Sequence, residues 1–174
     1  QRQMCIRDRS NEFGFKFNRR VVKTGLFPNG SGVVIEKGLI VTNFHVISDA
    51  FNQNQELIVE NHLGKTVKTQ ILGFDSEADI AVLGIIDSID LKPFKIRKNI
   101  DQVKVGESVI AIGNPQGLGQ SFSKGIVSAI NRTFQDKKGN FIQTDASINP
   151  GNSGGALIDD KGRLLGVVLS LIHI

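Results

Sequence analysis

Tryptophan, tyrosine and cysteine are nearly absent from this sequence of 174 residues, which has no Trp, no Tyr and a single cysteine, Cys5. One cysteine excludes an intrachain disulfide. No apolar run approaches the roughly 20 residues that a helix needs to cross a bilayer. The 40% hydrophobic and 22% charged content is ordinary for a globular protein. The length fits one large domain, or two small ones that share a core.

An excess of charge of one sign is also missing. Of the formal net charge of +4, residues 1–10 contribute +2 through three arginines and one aspartate, which leaves +2 for the rest of the chain. A surplus this small is a weak argument for nucleic-acid binding. The hypothesis of a basic nucleic-acid-binding protein is therefore not favoured.

The two ends of the chain differ in character from the middle. Residues 1–9 hold the only Cys and the only Met and show no apolar period, and the last six residues close the chain within an apolar run. Both strings resemble translated sequencing-adapter reads at the ends of metagenomic fragments. We therefore expect a non-native leader at 1–10 and a non-native tail at 169–174.

About ten short β-rich runs, separated by Gly, Asn and Asp turns, fill most of the chain. This spacing is typical of an all-β sandwich or barrel. One short helix is predicted at 46–51, and the polar stretch at 87–101 divides the runs into two halves of similar size. The predicted strands are 32–36, 39–42, 56–60, 66–72, 80–86, 107–112, 122–130, 140–144, 156–158 and 164–168.

Phenylalanines alternate with other residues near the start of the chain, at Phe13, Phe15 and Phe17. A period of two predicts an extended segment with one apolar face. An edge strand docked on the domain is the favoured interpretation, and a subunit contact is the alternative.

A serine stands between glycines in the run at 149–155, Asn-Pro-Gly-Asn-Ser-Gly-Gly. Glycine is unfavourable inside helices and strands but suits a tight turn. Such a turn exposes the Ser153 hydroxyl and aims backbone N–H groups at one point, which a serine nucleophile requires. The alternative is a glycine-rich hairpin turn whose serine has no role.

Two further residues make the nucleophile hypothesis stronger, because His45 ends one predicted strand and Asp79 opens another. Alone, such a His is most often a packing or surface residue and such an Asp a turn residue. Together with Ser153, all three stand at strand boundaries of a two-part β scaffold, as in a serine hydrolase. The Gly-x-Ser-x-Gly pattern also occurs in α/β-hydrolases, but there the acid and the His follow the serine. The order His, Asp, Ser indicates the chymotrypsin architecture.

Five motifs resemble the protease domain of the HtrA/Deg family over about residues 30–168. The resemblance implies an all-β fold of two perpendicular six-stranded Greek-key β-barrels, with the site in the cleft between them. It also implies an ATP-independent endopeptidase that degrades unfolded proteins without a cofactor or metal. The motifs lie at 30–35, 41–46, 78–83, 111–115 and 143–155.

The family pattern assigns a role to each matching residue. By resemblance, Ser153 attacks the scissile carbonyl, His45 moves the proton, and Asp79 orients His45. The turn Gly151-Asn152-Ser153 forms the oxyanion hole, with the N–H groups of Gly151 and Ser153 as donors and Asn152 between them.

Ile148 matches the family position at the base of the S1 pocket. An apolar base cannot pair with Lys or Arg, so we expect small or medium aliphatic P1 residues such as Val, Ala or Ile, with shallow discrimination among them.

The resemblance divides the chain into a first barrel at 11–90, a linker at 91–104 and a second barrel at 105–168. The second barrel is expected to be incomplete at its C-terminal end, and no PDZ domain is expected within these 174 residues. Family membership implies the cell envelope, unfolded polypeptides as partners, no nucleic acid or ATP, and a homotrimer formed through the phenylalanine segment. The alternative function is a catalytically silent binding or chaperone-like module, or an inactive fragment.

Overall fold

The computed structural model describes residues 3–9, 26–87, 91–114, 119–134, 137–149 and 151–169, and most of them are in β-strands. All ten predicted strands are present, several with longer bounds, and the predicted helix is α1 (Phe44–Asn52). Within the described residues, no helix is long and apolar enough to cross a membrane. The strands are β1 (Gln3–Arg9), β2 (Leu26–Glu36), β3 (Leu39–Thr42), β4 (Leu57–Asn61), β5 (Thr66–Asp75), β6 (Ile80–Ile85), β7 (Lys95–Ile96), β8 (Ser108–Gly113), β9 (Ser121–Phe134), β10 (Lys137–Thr144), β11 (Ala156–Asp159) and β12 (Arg163–Val167).

The first half of the chain closes into a barrel with the strand order β1-β2-β3-β6-β5-β4. Alternation of apolar and polar residues turns one face of each strand inward, as in β5, where Val67 and Thr69 are buried between exposed neighbours. Helix α1 adds Val46, Ile47 and Ala50 to the same core. The remaining buried members are Val34, Ile40, Leu57, Val59, Ala81, Leu83 and Leu91.

Strand β1 was not predicted, because its sequence has no apolar alternation. It pairs antiparallel with both β2 and β4, and so completes the barrel. Backbone N–H and C=O groups make these ladders whatever the side chains are, so the first barrel extends below the boundary expected at residue 11. The expected non-native origin of 1–10 stays a prediction, and the segment at 13–17 lies outside the described residues.

The second half forms a curled six-stranded sheet with the order β10-β9-β8-β11-β12-β7. All its pairings are antiparallel except that of β12 with the short β7. Within the described residues the sheet is open between β10 and β7. The predicted all-β fold with two six-stranded halves is confirmed. Its core contains Val103, Val109, Ala111, Val127, Ala146, Leu157, Leu165 and Val168.

The segment expected as a linker at 91–104 packs against both halves. Leu91 is buried in the first core and Val103 in the second. Between them, Phe94 donates its N–H to Val34 O (3.0 Å) and belongs to a third apolar cluster along the seam between the halves. That cluster also contains Val33, Ile112, Ala156, Ile158 and Leu164.

A charge network stabilises the outer edge of the second sheet. Arg97 binds Glu107 through Nη1–Oε2 (2.6 Å), and Arg163 binds the buried Asp159 through Nη2–Oδ2 (2.7 Å). Burial raises the pKa of Asp159, but hydrogen bonds from the side chain and backbone of Arg163 and from the Lys161 N–H outweigh it and hold that pKa below its ordinary value. The hydrogen bond from Arg97 likewise lowers the pKa of Glu107.

The substitution Asp159→Asn is expected to lower the free energy of unfolding at pH 7 by about 1.5–3 kcal/mol, since it weakens hydrogen bonds to a charged group. Because the folded-state pKa of Asp159 is depressed, its stabilisation is fully present above the unfolded pKa of about 3.9 and is lost as pH falls through the folded pKa. Denaturant unfolding at several pH values tests this, with the exposed neighbour changed in Asp160→Asn as the control. A loss of unfolding free energy in Asp159→Asn that is as large at pH 2 as at pH 7 would contradict this prediction.

Candidate active site

His45 and Asp79 are hydrogen-bonded through both carboxylate oxygens of the aspartate. His45 Nδ1 lies 2.7 Å from Asp79 Oδ2, and the His45 backbone N–H donates to Asp79 Oδ1 (2.8 Å). Because a carboxylate only accepts, Nδ1 carries the imidazole proton and Nε2 is left to accept one. The Asp79 side chain is 3% exposed and that of His45 46% exposed, so the pair presents the imidazole to solvent.

Asp79 has a left-handed backbone, with φ of 54°. Aspartate tolerates this region better than most residues do, though it is a strained conformation. The Asp79 carbonyl is held by Asn43 Nδ2 at 2.9 Å. The hydrogen bond from Asn43, which stands between strand β3 and helix α1, therefore holds Asp79 in this strained conformation.

Asn43, which the sequence reasoning missed, connects the backbone of Asp79 to the turn that bears Ser153. Its Nδ2 binds the Asp79 carbonyl, and its Oδ1 accepts from the Gly154 N–H at 2.7 Å. It is 1% exposed, so both bonds are shielded from water. The available signal was a pair of polar residues, Thr42 and Asn43, between the apolar residues Val41 and Phe44.

Two N–H groups of the turn at 151–155 have no partner among the residues that the structure describes. Within the described part of the chain, the N–H groups of Gly151 and Ser153 make no hydrogen bond. The N–H of Asn152, the residue expected between the two donors, is engaged within the turn. The three bonded N–H groups are those of Asn152, which donates to Asn149 O (3.0 Å), Gly154, whose N–H is shared between Asn43 Oδ1 (2.7 Å) and Val168 O (2.9 Å), and Gly155, which donates to Asn152 O (2.8 Å).

Ser153 is placed beside the first barrel through its backbone. Its carbonyl accepts from the Ser31 N–H at 2.8 Å. Among the described residues, Ser153 Oγ makes no hydrogen bond to His45, and such bonds are often long in a protein without substrate. The structure thus joins His45 directly to Asp79, and brings the Ser153 turn to them through Asn43 and Ser31.

A large cavity of about 690 Å³ lies next to these residues. Ala78 and Ile80, which flank Asp79, line it from the first barrel. Ile148, the residue predicted at the base of S1, lines it from the second half, together with Leu165 and Val168. Its walls next to the site are therefore largely apolar. No group of three or more His, Cys, Asp or Glu placed to hold a metal ion occurs among the described residues.

Gly154→Ala is expected to lower the free energy of unfolding by about 3 kcal/mol or more, through overpacking added to backbone strain. Gly154 has φ of 81°, and a Cβ there would overlap the Ser31 carbonyl oxygen and Thr42 Oγ1. Gly162→Ala is the matched control, because Gly162 has φ of 70° with no atom within 4 Å of its Cβ position. It should cost only about 1–2 kcal/mol. If denaturant unfolding gives equal losses of free energy for Gly154→Ala and Gly162→Ala, the close approach of other atoms to Gly154 is refuted.

Comparison with known proteins shows the family of the chain. A family model described as the trypsin-like peptidase domain matches residues 30–167. The chain is 43% identical over 147 residues to the periplasmic pH-dependent serine endoprotease DegQ of Escherichia coli, an alignment that covers 82% of this chain and 31% of that protein. It is 46% identical over 143 residues to the serine endoprotease DegS of Haemophilus influenzae, covering 79% of this chain and 40% of that protein.

A solved structure has the same architecture. The HtrA-type protease AlgW with decapeptide superposes with a TM-score of 0.80 and 32% sequence identity, covering 99% of this chain and 55% of that one. The chain thus spans about a third of the length of DegQ and 40% of that of DegS. With a family model that matches most of its length and with these relatives, the chain belongs to the trypsin-like peptidase domain family and, within it, to the HtrA/Deg serine proteases.

Proposed function

We propose that this chain is the catalytic part of a serine endopeptidase that cleaves unfolded or misfolded proteins. The observation that carries the proposal is the two-point contact between His45 and Asp79, linked through Asn43 to the turn that bears Ser153. The alternative of a catalytically silent module is not favoured, because it would have no need of all three residues.

In the proposed mechanism, Ser153 Oγ attacks the carbonyl carbon of the scissile peptide while His45 Nε2 takes its proton. Asp79 keeps the imidazole in the tautomer with the proton on Nδ1 and stabilises the imidazolium that forms. His45 then gives the proton to the leaving amine, and the C–N bond breaks to leave an acyl-enzyme ester on Ser153. Water, activated by His45, hydrolyses that ester and restores the serine.

The negative oxygen of each tetrahedral intermediate is proposed to bind the N–H groups of Gly151 and Ser153. Their lack of a partner within the described residues supports this, since every other N–H group of the turn at 151–155 is bonded. One such donor is typically worth about 2.7–4 kcal/mol of the activation barrier.

The substrate preference is proposed to be small or medium aliphatic residues at P1, because Ile148 and other apolar side chains line the adjacent cavity. Several relatives are named periplasmic proteases, such as DegP of Salmonella typhimurium. We extend the cell-envelope location to the protein from these names. A homotrimer through Phe13, Phe15 and Phe17 remains part of the proposal.

A fluorophosphonate probe should label the wild-type protein and should not label Ser153→Ala. Asp79→Asn should label on the order of 10⁴-fold more slowly, because the imidazole adopts the wrong tautomer. Asp160→Asn, which removes an exposed carboxylate at the outer edge of the second sheet, should label at the wild-type rate. A folded wild-type protein that the probe leaves unlabelled would refute the protease assignment.

A panel of peptides that differ only at P1 should give the highest kcat/KM with Val, Ala or Ile, and low values with Lys or Arg. Ile148→Ala should enlarge the pocket and shift the ratio of kcat/KM toward Leu over Val, by about 10-fold or more for a lost contact of one or two methylenes. Ile85→Ala truncates an isoleucine packed on the first core, and should lower stability without changing the ratio. Cleavage mainly after Lys or Arg would exclude the predicted pocket.

A further inference from the structure

We propose that Ser31 is a positioning residue for the oxyanion hole. Its hydroxyl holds the Gly151 carbonyl and its N–H holds the Ser153 carbonyl, so that the peptide plane carrying the Ser153 N–H stays directed into the cleft and the ψ dihedral of Gly151 stays fixed. The proposal rests on the proposed function of the site.

The Ser31 hydroxyl has one fixed orientation. Its Oγ donates to Gly151 O at 2.7 Å and accepts from the Asn114 N–H at 2.8 Å. The residue is 0% exposed, so water cannot replace either bond. Because a hydroxyl has one proton to donate, the contact with Gly151 leaves none for any other acceptor.

Ser31 completes the fixing of two peptide planes on either side of the nucleophile. In the first plane, the Gly151 carbonyl is held by Ser31 Oγ, and the Asn152 N–H by Asn149 O. In the second plane, the Ser153 carbonyl is held by the Ser31 N–H, and the Gly154 N–H by Asn43 Oδ1. Since a peptide unit is planar, bonds at both of its ends remove its freedom to rotate.

The plane between these two carries the Ser153 N–H. Its carbonyl, Asn152 O, accepts from the Gly155 N–H at 2.8 Å. With that carbonyl bound and both flanking planes fixed, the Ser153 N–H is the polar group of this plane that has no partner among the described residues and is left for a ligand. Gly151 has φ of 95°, and its carbonyl contact with Ser31 fixes its other soft dihedral.

Ser31 also ties the nucleophile to strand β3, which precedes the helix that carries His45. Its carbonyl accepts from Thr42 Oγ1 at 2.7 Å, and Thr42 stands three residues before His45 in the chain. The same residue therefore aligns the second half with the first and sets the geometry of the oxyanion hole. An alanine at this position would keep the backbone contact to Ser153 but would lose both hydroxyl bonds.

The proposal is tested with a peptide boronic acid that ends in valine and with the same peptide as its amide. The boronic acid forms a tetrahedral adduct with Ser153 whose oxygen occupies the oxyanion hole, whereas the amide uses only the subsites. Ser31→Ala should weaken the affinity for the boronic acid by on the order of 10- to 100-fold. This is less than the loss in kcat of about 10²–10³-fold that follows removal of a whole oxyanion-hole donor. Affinity for the amide should not change, and in peptide hydrolysis kcat should fall while KM stays constant.

Thr69→Val is the matched control, because Thr69 is buried in the same barrel and its hydroxyl donates to Leu57 O at 3.2 Å, away from the cleft. It should lower the melting temperature as Ser31→Ala does and leave the ratio of boronic acid to amide affinity unchanged. A wild-type protein that forms no boronic acid adduct would refute the proposed function. A wild-type adduct with an unchanged ratio in folded Ser31→Ala would overturn the role of Ser31 alone.

Should Ser31→Ala not fold, amide hydrogen exchange of the wild-type protein decides the question. The Ser31 and Asn114 N–H groups should exchange as slowly as those of the core strands, since both are buried and bonded at 2.8 Å. Exchange as fast as in the exposed turns would show that the bonds do not hold, and would overturn the proposal.

Discussion

The site depends on hydrogen bonds across the seam between the two halves of the fold. His45 and Asp79 belong to the first barrel and Ser153 to the second half, so no single sheet can align them. Asn43 Oδ1 with the Gly154 N–H (2.7 Å), and the Ser31 N–H with the Ser153 carbonyl (2.8 Å), make the connection. Both bonds are shielded from water, where an unmade polar contact is costly. The alignment is therefore as rigid as the seam itself.

Apolar packing supports the same seam. The cluster around Phe94 combines side chains of β2 with those of β8, β11 and β12, and the connecting segment returns to the first barrel through the Phe94 N–H. A polar network is stabilising only when its members are satisfied. Ser31 meets this condition with four bonds, two through its hydroxyl and two through its backbone. Packing and hydrogen bonding thus hold the two halves in one register.

Much of the fold and of the site was predictable from the sequence. The β-rich runs and the turns between them predicted ten strands that are all present, and the order of His45, Asp79 and Ser153 indicated the architecture that the comparisons confirm. Strand β1 was missed because ladder pairing needs no apolar alternation, and the two-residue β7 is too short to show a period. Asn43 was missed although it stands in the motif at 41–46, because its two hydrogen-bond partners are 36 and 111 residues away in the chain.

The sequence by itself determined which residues face inward and which residue types could carry the chemistry, because periodicity and turn composition are local properties. Only the tertiary structure decided which groups meet. Ser31 and Gly151 are 120 residues apart in the chain, and their contact exists because two separate sheets pack along one seam. The same packing decides that the N–H groups of Gly151 and Ser153 lack partners within the described residues while their neighbours are bonded. The sequence predicts the glycine turn, whereas the packing of the two halves determines how the turn is oriented.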